Sequence, residues 1–142
     1  MATRILVVED DPMNAKLFHL MLTRRAGFEV EVTEDAERVL EYARSGRIDL
    51  IIMDVSLSNS RIQGKAVDGL EITRRIKADP TARKIPVLLA TAHAMKGSRE
   101  RFLAESGADD YVSKPIVSGE DLVSRIRALI GKEAHAAPPA AG

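Results

Sequence analysis

Apolar residues along this chain occur in two patterns. Residues 5–8, 50–53 and 85–90 form short, nearly unbroken apolar runs. Runs of this length without alternation suit strands buried on both faces, as in a parallel sheet covered by helices. Between them the spacing becomes helical. Asp11 and Pro12 read as an N-cap and first-turn proline, followed by Met13, Leu17, Leu20 and Met21 at helical spacing and by Gly27 as a stop. Residues 28–32 alternate as a short strand. Thr33, Glu34 and Asp35 then offer caps for a helix through Ala43, with Val39, Leu40 and Ala43 facing inward and Gly46 beyond its end. Residues 55–67 carry Ser56, Ser58, Asn59, Ser60 and Gly64 and read as a loop, expected to be mobile or docked on a partner. Asp68 and Gly69 open a helix with Leu70, Ile72 and Ile76 inward, ending before Asp79 and Pro80. A polar helix over residues 96–106 stops at Gly107, and residues 111–112 form a last short strand. Ser118 or Gly119 starts a helix containing Leu122, Val123, Ile126, Leu129 and Ile130.

Five strands thus alternate with five helices. That order predicts right-handed crossovers and an α/β fold, a doubly wound parallel sheet with helices on both faces. A (βα)5 chain of this size suits the flavodoxin-like strand order 2-1-3-4-5. Residues 1–132 are expected to form one domain. Residues 133–142 are Ala/Pro-rich and read as a flexible tail.

Composition narrows the partners. The 142 residues suffice for a real core, and 21 basic residues balance 21 acidic ones. A phosphate-tracking nucleic-acid binder should carry a basic surplus. There is no cysteine, which removes disulfides, thiolate metal sites and cysteine nucleophiles. The N-terminal residues lack a signal-peptide core, and no apolar run approaches the ~20 residues of a membrane span. The expectation is a soluble cytoplasmic protein with neither nucleic acid nor membrane as partner.

The chemistry gathers at strand ends. Glu9 and Asp10 follow the first strand, Asp54 ends the third, Thr91 ends the fourth, and Lys114 follows the fifth. Open α/β sheets bind ligands at this edge. Carboxylates from two strands repel each other unless a cation is present. An all-oxygen, incomplete ligand set suits Mg²⁺. Lysine and threonine opposite an aspartate can neutralise and hydrogen-bond a group attached to it. These parts match phosphoryl transfer to a carboxylate. Singly, each has a structural reading: a turn cap for Asp54, acids favouring a helix N-terminus for Glu9, Asp10 and Asp11, a solvated loop lysine for Lys114. Their convergence on one edge is what points to a site.

Four stretches carry a family resemblance: Ile5-Leu-Val-Val-Glu-Asp-Asp, Asp49-Leu-Ile-Ile-Met-Asp54, Ile85-Pro-Val-Leu-Leu-Ala-Thr91-Ala-His-Ala-Met-Lys-Gly, and Gly107-Ala-Asp-Asp-Tyr111-Val-Ser-Lys114-Pro115. With them the chain resembles the receiver domain of bacterial two-component response regulators, over about residues 3–131. It is similar to single-domain regulators of the cell-division-control type and to receiver modules of hybrid kinases. The resemblance implies that Asp54 accepts a phosphoryl group from a sensor histidine kinase or a histidine phosphotransfer protein. It implies Mg²⁺ held by Asp10, Asp54 and the main-chain carbonyl of Ser56, with Glu9 assisting indirectly. Lys114 would pair with the phosphoryl group, Thr91 would turn toward it, and Tyr111 would move inward behind Thr91, with small Ala92 leaving room. It also implies a cis bond before Pro115. His93 and Ser56 would flank the path of the water that hydrolyses the phospho-aspartate. Such a protein catalyses only its own phosphotransfer and slow autodephosphorylation, and its output is a changed interaction with a downstream protein target. A phosphate-shuttling receiver in a multi-step phosphorelay is the alternative, and a homodimer stays open.

Two departures stand out, one in the loop after the third strand and one in the fourth helix, which is slightly longer than the family implies and so alters the expected packing behind Tyr111. The stretch between Asp54 and Thr91 is about seven residues longer than the family implies, and the excess falls in residues 58–64. The proline usual in this loop is replaced by Ser58. Other classes fit less well. Phosphatases with an aspartyl nucleophile commonly place a second acid two positions on, where this chain has Ser56. A flavin carrier of the same fold needs anion-binding amides after strand one, where this chain has three acids.

Overall fold

The computed structural model describes residues 2–92 and 96–136, with side chains described through residue 131. Five parallel strands form one sheet: β1 (Arg4–Val8), β2 (Glu29–Thr33), β3 (Leu50–Asp54), β6 (Val87–Thr91) and β7 (Asp110–Ser113), in the order β2-β1-β3-β6-β7. Counted within this sheet, that is the expected 2-1-3-4-5. Five helices connect and cover it: α1 (Pro12–Ala26), α2 (Ala36–Ser45), α3 (Gly69–Ala78), α4 (Ser98–Ser106) and α5 (Gly119–Ala136). The last helix runs four residues into the stretch read as a tail.

The unbroken apolar runs have a direct cause. Side chains alternate between sheet faces, and both faces are covered. Leu6, Val8, Ile51, Met53, Val87 and Leu89 pack on one side with Val39, Ala43, Ile72 and Ile76 from α2 and α3. Ile5, Val7, Leu50, Ile52, Leu88 and Ala90 pack on the other with Phe18, Leu22, Leu122 and Ile126 from α1 and α5. All five residues of β3 and all five of β6 are buried. Each fully buried Leu or Ile contributes roughly 1.5–3 kcal/mol, so these central strands anchor whatever projects from their ends.

Helix α1 turns a different face inward from the one its spacing suggested. Phe18 and Leu22 are buried, whereas Met13 is 77% exposed, Leu17 44% and Leu20 37%. Apolar residues surround much of this helix. Both the 13–17–20 stripe and the 18–22 stripe satisfy helical spacing, and the sheet selects the second. Met21 is partly buried against the same core.

The long stretch after β3 is not a plain loop. It contains a small antiparallel hairpin, β4 (Arg61–Ile62) and β5 (Lys65–Ala66), turned by Gln63 at φ 51° and Gly64 at φ 80°. Two successive positive φ values match the twist of a two-residue hairpin. Gln-Gly is a weaker hairpin signal than Asn-Gly, which is why the sequence concealed it. The segment docks on its own chain. Leu57 and Ile62 are buried in the core, the Ser60 hydroxyl donates to the Glu34 carbonyl at 2.5 Å, and the Gln63 N–H donates to Glu37 Oε2 at 3.0 Å.

Candidate functional site

The parallel register brings β1, β3 and β6 to one edge with their carboxyl ends level: Val8 pairs with Met53, and Asp54 with Ala90. Glu9, Asp54 and Thr91 are buried there, and Asp10 is half-buried. Lys114 arrives from the loop after β7, its N–H donating to the Thr91 carbonyl at 2.7 Å. The Lys114–Pro115 bond is cis, as the resemblance implied. The Lys114 ammonium donates to Glu9 Oε1 at 2.9 Å and lies 3.3 Å from Asp54 Oδ1. One buried cation therefore bridges carboxylates from two strands.

Charge is concentrated in this pocket. Glu9, Asp10 and Asp54 each offer a carboxylate oxygen, and these oxygens all lie within 4.8 Å of one another. Burial pushes Glu9 up from 4.5 to about 7, helped by its hydrogen bond to Asp54 and the charge there, while Lys114 pulls the other way. Burial works against the charge on Lys114, but Glu9 and Asp54 outweigh it and hold its pKa above the usual lysine value. Burial also acts upward on Asp10, yet two donors from Ser58 outweigh it and hold Asp10 below the usual carboxylate range. The donor set is three hard oxygens from two strands, with too few protein ligands to complete a coordination sphere. It fits a hard divalent cation that keeps waters, as Mg²⁺ does.

The other expected residues take these places. The Ser56 N–H donates to Asp54 Oδ1 at 3.1 Å, and the Ser56 side chain is exposed. Asp11 caps α1, its carboxylate accepting from the Met13 N–H at 2.9 Å. Tyr111 is buried under α4, 6.1 Å from Phe102 between ring centroids, and its hydroxyl has no hydrogen-bond partner among the described residues. His93 lies outside the described residues.

One residue of the site escaped the sequence reading. Gly69, read only as a helix start, brings α3 against the backbone of the central aspartate. Its N–H donates to the Val55 carbonyl at 3.1 Å, and a Cβ there would lie 2.0 Å from the Asp54 carbonyl oxygen. Its backbone angle is unremarkable, so the constraint is space, which no local pattern reveals.

The family model of the response regulator receiver domain matches residues 5–127. The chain belongs to this family. The polar-differentiation response regulator DivK of Brucella anthropi is 37% identical over 131 residues, covering 92% of this chain and 98% of that protein. Hybrid signal transduction histidine kinase I of Dictyostelium discoideum is 42% identical over 116 residues, covering 80% of this chain but only 6% of that much longer protein. Among solved structures, the receiver domain of sensor histidine kinase PA1611 from Pseudomonas aeruginosa superposes with a TM-score of 0.76 at 33% identity, covering 92% of this chain and 99% of that one. That crystal structure is described with a magnesium ion coordinated in its active site cleft. The receiver domain is a signalling switch whose family function is acceptance of a phosphoryl group, and the acidic edge is where this one gathers its ionisable side chains. No helix among the described residues is long and apolar enough to cross a membrane.

Proposed function

We propose that this receiver domain, residues 1–132, accepts a phosphoryl group on Asp54 from a phosphohistidine of a sensor kinase or phosphotransfer protein. The observation that carries this reading is the Lys114 ammonium set between Glu9 and Asp54, beside three carboxylates with mutually close oxygens. An Asp54 carboxylate oxygen attacks phosphorus, the O–P bond forms as the N–P bond breaks, and the imidazole nitrogen keeps the electron pair. Lys114, already 3.3 Å from Asp54 Oδ1, neutralises charge on the transferred group. Asp10 and Asp54 are the carboxylates that would hold Mg²⁺, with the Ser56 carbonyl completing the protein's share and Glu9 acting indirectly. When bound, the ion supplies charge neutralisation among acids that otherwise repel and at the phosphoryl oxygens.

The readout follows from burial. Thr91 ends β6 beside Asp54, and Tyr111 lies one strand further on, buried, with its hydroxyl unpartnered among the described residues. Thr91 turning toward the phosphoryl group repacks Tyr111 and, with it, the face made by α4, β7 and α5. That face meets the downstream protein target, in the cytoplasm. The likeness to DivK, a response regulator 37% identical over 131 residues, supports a regulatory role over a shuttling one. The test is transfer from ³²P-labelled phosphohistidine donors of the same genome. Label should move to this chain within seconds from its own donor and not to Asp54→Asn. Transfer to Asp54→Asn at the wild-type rate would overturn the assignment.

A further inference from the structure

The loop after β3 differs from the family pattern where it meets the acidic pocket. Where the resemblance expects proline, this chain has Ser58, whose N–H and hydroxyl both donate to Asp10 Oδ2, at 2.9 and 2.8 Å. Proline can make neither bond, because it lacks both the N–H and the hydroxyl. We infer that Ser58 is a positioning residue for Asp10, orienting its carboxylate for Mg²⁺ before the ion arrives. The inference rests on the proposed reading of Asp10 as a cation ligand.

The geometry supports orientation over a chance surface contact. Two charge-assisted donors from one residue converge on a single oxygen, which anchors the Oδ2 end of the carboxylate. Ser58 is itself exposed, but it is held from both sides: Leu57 and Ser60 are buried, and Ser60 is tied to the Glu34 carbonyl. The docked hairpin therefore holds the two donors in place. Asp10 is the least buried of the three acids, so without these bonds it has the most freedom to swing into solvent, away from Glu9 and Asp54. Hydrogen-bonded partners of metal-ligating carboxylates commonly tune metal affinity in this way. The longer loop in this chain then has a local purpose: it brings in serine donors where a shorter, proline-containing loop would have none.

The test is titration of the full chain with magnesium chloride by calorimetry, for wild type, Ser58→Ala, Ser58→Pro and Ser58→Thr. A parallel series measures the rate of Asp54 labelling by acetyl phosphate against Mg²⁺ concentration. Loss of the hydroxyl alone should raise the Mg²⁺ dissociation constant about 3-fold and loss of both donors about 10-fold, at the low end for such partners. Ser58→Thr keeps both donors and should stay within about twofold of wild type. Labelling at saturating Mg²⁺ should return to the wild-type rate in every variant, which simple damage to the loop would not allow. If the proline variant misfolds, the alanine variant decides. Unchanged affinity in Ser58→Ala, or tighter binding, would overturn the inference; tighter binding would mean that Ser58 competes with the ion. A wild type that takes up no Mg²⁺ would instead overturn the reading of Asp10 on which the inference depends.

Discussion

Replacing Gly69 by alanine places a methyl group where the carbonyl of Asp54 already sits. The added Cβ would lie 2.0 Å from the Asp54 carbonyl oxygen, 2.8 Å from its carbon and 3.0 Å from Met53 Cγ. An ordinary carbon–oxygen contact is about 3.3 Å, so α3 and β3 must separate by more than about 1 Å. Two of the three obstacles are backbone atoms of a fully buried central strand, which cannot rotate aside. Overpacking of this kind costs about 1–3 kcal/mol. Separation also lengthens the Gly69 N–H to Val55 carbonyl bond, worth about 0.5–1.5 kcal/mol. Alanine returns at most about 1 kcal/mol of helix propensity. The net expectation is a loss of about 1–3 kcal/mol, equivalent to a melting temperature lower by about 3–12 °C for a chain of this size. Thermal melting followed by circular dichroism measures it, and the acetyl phosphate labelling rate, run in parallel, should fall because the displaced carbonyl belongs to Asp54. A Gly69→Ala protein as stable as wild type and labelled at the same rate would refute the close-approach argument.

Two further predictions concern the frame around the site. Leu22→Ala should cost about 2–5 kcal/mol in urea unfolding because Leu22 is fully buried, whereas Leu17→Ala should stay within about 0.5 kcal/mol; equal effects would mean that α1 presents the other face. Burial works against the charge on Asp110, but the Tyr111 N–H, Arg99 and Arg125 outweigh it and hold its pKa below the usual carboxylate value. A lowered folded-state pKa contributes stability in full above the unfolded value of ~3.9, and that contribution is lost as pH falls through the folded value. Both arginines are more than a third exposed, so screening limits Asp110→Asn to a loss of about 1 kcal/mol at pH 7. The gap from wild type should narrow as pH falls below ~3.9 toward the lowered folded-state value, and a gap independent of pH would contradict the ion-pair account.

Legibility in the sequence followed how local each cause is. Strands buried on both faces announce themselves as unbroken apolar runs, and alternation with helices implied the parallel order that the register confirms. Because that order sets carboxyl ends side by side, Glu9, Asp10, Asp54, Thr91 and Lys114 could be placed on one edge from the chain alone. Where two solutions satisfied the same local rule, spacing could not choose. In α1, the stripe of Met13, Leu17 and Leu20 satisfies helical spacing as well as Phe18 and Leu22 do, and only packing against β1 and α5 decides between them. The hairpin turned by Gln63 and Gly64 was hidden by an atypical turn pair and stabilised by contacts to α2 far along the chain. By local pattern Gly69 is a helix start and Ser58 a departure from the family. Their consequences, a backbone contact to Asp54 and two donors to Asp10, are tertiary and have no local signature.

The central claim is that Asp54 takes the phosphoryl group, and intact-mass spectrometry of the protein with acetyl phosphate and Mg²⁺ tests it most directly. The account predicts a single gain of about 80 Da, one HPO₃, on the wild type and none on Asp54→Asn. The same gain on Asp54→Asn, at the same rate, would contradict it.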